Sequence, residues 1–148
     1  KYPIFNKLIR NIYLSIINDP INERYFNNSH KGFYPRITEC WGAIYQKGHY
    51  TLPHIHLPSI YSFVYYLQAK GDNVSCLKFS EFEVKPKQDL LVGFPAWLEH
   101  EVPASTINDD RIILAGNITV FAHNYNFINS NPWIDLNKFR NKPGINVT

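Results

Sequence analysis

Apolar residues return every four positions near the start of the chain: Ile4, Leu8, Ile12 and Ile16, flanked by Phe5, Ile9, Tyr13 and Ile17. This is the helical period, so one amphipathic helix is predicted over 3–17, with Pro3 suited to its first turn and Asp19-Pro20 ending it. A single apolar stripe suits a helix laid on the outside of a sheet, within one chain or between two copies. Its polar side is not basic enough for a membrane surface. From 20 to 38 the residues turn polar and irregular (Asn27, Asn28, Ser29, Gly32, Pro35), which reads as a long loop. Then the pattern changes. Short runs rich in Ile, Val, Tyr, Phe and Trp follow at roughly 39–46, 60–68, 75–84, 89–94 and 111–122. Lys47-Gly48, Lys70-Gly71-Asp72-Asn73 and Asn108-Asp109-Asp110 punctuate them. Many short strands with turn signals between them predict an all-β sandwich or barrel. From about 129, Pro132, Pro143, Gly144 and several Asn predict an irregular surface tail. The chain, 1–148, is read as one domain with its core at about 39–122.

Composition narrows the class. With 45% hydrophobic and 16% aromatic residues, the chain can fill a core without disulfide staples. The net charge of +3 is scattered and forms no basic stripe, so nucleic acid is not an expected partner. Cys40 and Cys76 lie in apolar runs, outside any CxxC arrangement, and read as buried thiols in a reducing compartment. No segment approaches the roughly 20 apolar residues of a membrane span. Asn6, Lys7, Arg10 and Asn11 interrupt any secretory apolar stretch, so a cytoplasmic location is expected. Asn-x-Ser/Thr triplets at Asn27, Asn73, Asn117 and Asn146 carry little weight in so Asn-rich a chain.

Three histidines carry the chemistry. The stretch Gly48-His49-Tyr50-Thr51-Leu52-Pro53-His54-Ile55-His56 sets two imidazoles two residues apart. In a strand such positions share a face, so His54 and His56 would project into one cavity. Two imidazoles so placed can bind one metal ion through ring nitrogens. In the second stretch, Leu90 to Phe94 ends in Pro95, turns, and returns through His100, 44 residues after His56. An octahedral iron site needs about three protein ligands on one face, leaving the other positions open. His30, His49 and His123 read as ordinary. Arg111 opens the apolar run Arg111-Ile112-Ile113-Leu114-Ala115-Gly116-Asn117. A lone Arg there is costly to bury, so it either stays in water at the strand mouth or pairs with an anion inside the barrel. Its fork fits a carboxylate.

Taken in order, Trp41, Tyr45, Gly48, His54-Ile55-His56, Tyr65-Tyr66-Leu67, Phe94-Pro95, His100, Arg111 and Asn117 resemble the Fe(II)- and 2-oxoglutarate-dependent oxygenases. The likeness is to the small, prolyl-hydroxylase-related members of phage and marine bacterial genomes, and it spans Cys40 to Asn117. It implies a double-stranded β-helix (jelly roll) with the N-terminal helix packed outside. It implies Fe(II) held by His54 and His100, with position 56 as third ligand, and O2 and 2-oxoglutarate as cosubstrates for hydroxylation. Arg111 would bind the far carboxylate of 2-oxoglutarate, and Trp41, Tyr45, Tyr65 and Asn117 would belong to the same pocket. Two positions depart from the pattern. Position 56 is His where the superfamily has Asp or Glu, and position 113 is Ile where it often has Ser.

Two other readings compete. A three-histidine cupin dioxygenase shares the jelly-roll core and needs no 2-oxoglutarate; the acid of the first cupin motif is absent from Leu57-Pro58-Ser59-Ile60-Tyr61. A non-catalytic module with a structural metal is the third. No stretch carries a signature for the primary substrate.

Overall fold

The computed structural model describes residues 3–26, 33–69, 74–106 and 111–122. The helical period at the N-terminus becomes α1, Pro3–Ile17, which buries Ile9, Ile12, Tyr13 and Ile16. Asp19 caps a short 3-10 turn, Pro20–Asn22, by accepting the Ile21 N–H at 2.9 Å, and one turn of helix follows, α2, Glu23–Phe26.

Eight strands come next: β1 (Phe33–Tyr45), β2 (Thr51–His54), β3 (Tyr61–Gln68), β4 (Leu77–Phe79), β5 (Glu83–Val84), β6 (Leu91–Pro95), β7 (His100–Val102) and β8 (Arg111–Ala122). They form two four-stranded sheets in the orders β1-β8-β3-β6 and β2-β7-β4-β5. All pairings are antiparallel. Apart from the β4–β5 hairpin, successive strands therefore alternate between sheets, which is the double-stranded β-helix.

β8 is the middle of the larger sheet, bonded to β1 on one edge and β3 on the other. Both its faces are covered, so its side chains alternate between two cores. Leu114 and Ile118 join Ile37, Cys40, Tyr61, Phe63 and the buried face of α1. Ile113 and Ala115 join Ala43, Tyr45, Val64, Tyr66, Leu77, Phe79, Phe94 and Val102 between the sheets. The expected external helix is thus real, and its apolar stripe meets the outer side of the sheet.

Three boundaries differ from the sequence expectation. The stretch 20–38, read as loop, contains the 3-10 turn, α2 and the first half of β1. That half looks irregular because of Pro35, yet β1 is an edge strand, where a missing N–H costs no ladder bond. Its pairing of Pro35 with Val120 and Arg36 with Thr119 is supplied by the far end of β8. The single run 75–84 is a hairpin of two short strands, with Leu77 opposite Val84. β2, on which His54 sits, was not separated from its glycine turn. The turn residues 70–73 and 108–110, His30, His123 and the tail from 129 lie outside the described residues.

Both cysteines are free, and burial pushes the Cys40 thiol up to about 12. Asn117 is 1% exposed and carries no accessible glycan site; Asn27, Asn73 and Asn146 lie outside the described residues. Among those residues no helix is long and apolar enough to cross a membrane.

Gly116 lets the layers close. A Cβ there would come within 2.6 Å of both the Glu39 carbonyl oxygen and the Phe63 ring. Neither can retreat, one being ladder backbone and the other 1% exposed. Gly116→Ala is expected to cost about 2–3 kcal/mol by overpacking, read as a lower urea midpoint; an unchanged midpoint would contradict this packing.

Candidate metal centre and cofactor pocket

The metal candidates meet because β2 and β7 pair. His54 and His100 stand directly opposite one another across that ladder, with ring centroids 4.3 Å apart. His56 lies beyond the end of β2. Its N–H donates to the Ala96 carbonyl at 2.8 Å, in the β6–β7 turn, which folds the chain back over the pair. The His56 ring then sits 4.8 Å from that of His54 and 5.1 Å from that of His100. The ligand-capable atoms of the three lie within 4.8 Å of one another. The two-residue spacing does bring His54 and His56 together, but a strand end and a backbone hydrogen bond do it, not a continuous pleat.

The tautomers follow from the partners. His54 Nδ1 lies 2.8 Å from the Leu52 carbonyl and His100 Nδ1 3.0 Å from the Leu98 carbonyl. A carbonyl oxygen only accepts, so each Nδ1 carries the hydrogen and donates. Each Nε2 is left as a lone-pair donor, the arrangement that orients metal-binding imidazoles. Burial, with help from the neighbouring His54 and against the Leu98 hydrogen bond, lowers His100 to about 4. It is a neutral imidazole at physiological pH.

A cavity of about 320 Å³ opens beside the triad. Trp41, Tyr45 and Arg111 line it, as anticipated, together with Thr51, Ser62, Tyr66, Phe94 and Ile113. The Trp41 and His56 rings are 5.9 Å apart. Arg111 settles the alternative left open by the sequence: it is 3% exposed, inside the cavity, not in water at the strand mouth. Its guanidinium lies 4.2 Å over the Tyr45 ring, and Nη1 donates to the Ser75 carbonyl. Nε is buried without a partner. Among the described residues no carboxylate pairs with it. Burial lowers its pKa, against opposing contributions from Tyr66, Tyr45 and Cys76.

Two expected residues fall elsewhere. Tyr65 is on the opposite face of β3, against the α1 core, where its hydroxyl donates to Asp89 at 2.9 Å. Its neighbour Tyr66 takes the place inside, 2% exposed, with its hydroxyl pushed up to about 12 chiefly by burial. β3 is buried on both faces, so no alternation in the sequence distinguished the two tyrosines. Asn117 does not line the cavity; it sits behind Ser62, which donates to its Oδ1 at 2.9 Å. Ser62, Tyr66 and Thr51, whose Oγ1 lies 2.5 Å from the Tyr45 hydroxyl, were not singled out from the sequence. Nothing in local pattern marks them.

No family model matches the sequence, and no curated protein sequence resembles it. Solved structures do. An oxidoreductase of the 2OG-Fe(II) oxygenase family from Burkholderia pseudomallei superposes with a TM-score of 0.52 at 16% identity, over 72% of this chain and 55% of that one. The fold is the double-stranded β-helix, shared with that oxygenase over this span. A prolyl-4-hydroxylase of Pseudomonas putida gives 0.48 at 22% identity, over 54% of this chain and 51% of that one. Viral collagen prolyl hydroxylase from Paramecium Bursaria Chlorella virus-1 gives 0.47 at 16% identity, over 66% of each chain. The chain therefore spans about half the length of the two bacterial structures.

The neutral, buried His100 has a consequence for the metal-free protein. Its folded pKa, about 4, is below the ordinary 6.5. The unfolded chain thus binds more protons between those values, and stability falls as pH drops through that window. The loss is expected to reach about 3 kcal/mol. Urea unfolding from pH 7 to pH 4 checks it, with His100→Gln expected to flatten the part of the profile due to this group.

Proposed function

We propose that this domain is a non-haem Fe(II)- and 2-oxoglutarate-dependent oxygenase that hydroxylates a substrate still to be identified. The observation that carries the reading is Arg111, a guanidinium buried in the three-histidine cavity with Nε unpartnered and no carboxylate of the described residues beside it. A buried, half-satisfied cation costs several kcal/mol unless an anion joins it. With Nη1 held by Ser75, the edge that remains is the one carrying Nε. That edge presents parallel N–H donors to a carboxylate.

The donor set fits iron. Three imidazoles on one face suit a first-row divalent metal and leave open positions for a chelating keto acid and oxygen. His54 and His100 would donate through Nε2, each oriented by its own backbone carbonyl, and His56 would complete the face. Ferrous iron so held would supply oxygen activation coupled to decarboxylation of 2-oxoglutarate. The protein's part is binding and orientation. Arg111, stacked on Tyr45, would anchor the distal carboxylate. Tyr66, close enough that its ionisation and that of Arg111 shift one another, supplies a hydroxyl where Ile113 cannot. Leu77, Phe94 and Val102 wall the cavity against bulk water.

A second reading draws support from His56. Three neutral ligands, with no carboxylate, are the donor set of a three-histidine dioxygenase that does not use 2-oxoglutarate; Arg111 would then hold an anionic substrate directly.

Anaerobic titration of the Fe(II)-loaded protein with 2-oxoglutarate separates the two. The oxygenase reading expects a weak visible charge-transfer band. Arg111→Ala is expected to weaken 2-oxoglutarate binding roughly 100-fold, the loss typical for one partner of a buried charged pair, while metal binding is unchanged. Arg111→Lys is expected to do little better, because an ammonium lacks the planar fork. Iron binding without the band favours the second reading, and no iron binding removes both.

A further inference from the structure

A chain of hydrogen bonds runs across three strands behind the cavity and fixes the polarity of one of its wall atoms. Asn117 on β8 faces Glu39 on β1 and Ser62 on β3 in the two registers. Its Nδ2 donates to Glu39 Oε2 at 2.6 Å, and its Oδ1 accepts from Ser62 Oγ at 2.9 Å. The direction is forced from the carboxylate end. An ionised carboxylate only accepts, so the amide must turn its NH2 toward Glu39 and its oxygen toward Ser62. The Ser62 hydroxyl must then give its only hydrogen to Asn117. Its oxygen retains lone pairs and no donor.

Ser62 lines the same cavity as the histidines and Arg111. It is 1% exposed, comparable to Arg111 at 3% and Tyr66 at 2%, as expected for the floor of a narrow pocket. Its position along the barrel matters. Arg111 pairs with Tyr45, Ala115 with Trp41, and Asn117 with Glu39. Trp41, opposite Ala115, packs by His56, and Phe94, opposite Ser62, packs by His100 with ring centroids 4.6 Å apart, so the triad stands toward the Ser62 end of the strands. From Arg111 to Asn117 is roughly 20 Å of strand. An oxygen acceptor at Ser62 thus lies at the level of the triad, well along the strands from a carboxylate on Arg111. On the outside, exposed apolar residues flank His54 and His56, Leu52, Ile55 and Leu57 being 62%, 45% and 61% exposed, with Trp97 at 58% nearby, while His100 is flanked by Glu99 and Glu101.

We infer that Ser62 Oγ is a specificity-determining acceptor for the primary substrate, a molecule with an O–H or N–H group, bound beside the triad at the end of the cavity away from Arg111. Asn117 and Glu39 are positioning residues, which keep the Ser62 oxygen an acceptor. The inference rests on the oxygenase reading only for which end of the cavity 2-oxoglutarate occupies.

The test uses zinc-loaded protein, which cannot turn over, and two probes of one shape: piperidin-2-one, with a ring N–H, and cyclohexanone, without it. Affinities are read by protein and ligand NMR, with and without 2-oxoglutarate. The wild type is expected to prefer the lactam roughly five- to tenfold, the worth of one neutral hydrogen bond. Ser62→Ala should abolish the preference while leaving cyclohexanone affinity and zinc stoichiometry unchanged, and Ser62→Thr should keep it. Glu39→Gln should weaken or reverse it, because an amide at 39 allows Asn117 to flip and Ser62 to donate; a merely structural network would not change probe preference. Equal affinities in the wild type, no lactam binding, or a preference surviving in Ser62→Ala overturns the inference. So does displacement of the lactam by 2-oxoglutarate. Failure of 2-oxoglutarate to bind the zinc protein, with the lactam preference intact, overturns the oxygenase reading and not the role of Ser62.

Discussion

The register of β8 between β1 and β3 is the constraint on which the rest depends. In a strand buried on both faces, a slip of one residue exchanges every side chain between the two cores. In the observed register Leu114 and Ile118 meet α1, while Arg111, Ile113 and Ala115 line the cavity. The register is held by a long antiparallel ladder on each edge. Gly116 reinforces it, since only a residue without Cβ admits the Glu39 carbonyl and the Phe63 ring at that level. The same pairing decides that the cavity carries a guanidinium at one level and an amide-held serine at another.

The site is unusual in its charge balance. The candidate metal face is three imidazoles, one driven neutral by burial, and the charged group lining the cavity is the Arg111 cation. A divalent metal would make the cavity more positive still. Such a pocket favours anionic, chelating ligands over neutral ones, because low dielectric strengthens the attraction and, among the described residues, no carboxylate lines the cavity to compete for it. A carboxylate at position 56 would have offset one charge. A neutral imidazole at position 56 would therefore pull in two directions: it would leave the pocket more attractive to anions, and it would broaden the range of metals such a face accepts.

The jelly roll itself does not assign this chemistry, because that architecture hosts many unrelated functions. Similarity at 16% identity over 55% of a larger oxygenase establishes the fold. The case for the reaction rests on particular atoms: two Nε2 lone pairs aimed by backbone carbonyls, a third imidazole folded in by the Ala96 carbonyl, and a buried guanidinium with a vacant edge. These lie on both sheets. Arg111 comes from the larger sheet, His54 and His100 from the smaller, so sheet-on-sheet packing assembles the site and walls it with Leu77, Phe94 and Val102.

The amino-acid sequence alone determined whatever has a local period or a local chemical cost. A four-residue apolar repeat located α1 to the residue, and the apolar run 111–122 coincides with β8. Histidines two residues apart and an arginine heading an apolar strand marked the site before any contact was known. Tertiary structure decided what depends on pairing between distant segments. It drew Pro35 and Arg36 into β1, because β8 extends far enough to pair with them. It split 75–84 into a hairpin. It chose Tyr66 over Tyr65, since a strand covered on both faces shows no polar side from which to read inward and outward. It placed Arg111 in the cavity without a carboxylate from the described residues, and it gave Ser62 its direction through a carboxylate two strands away. A period is a property of neighbours along the chain, whereas which face is inward, and which hydrogen bond is donated, depends on what the rest of the chain brings alongside.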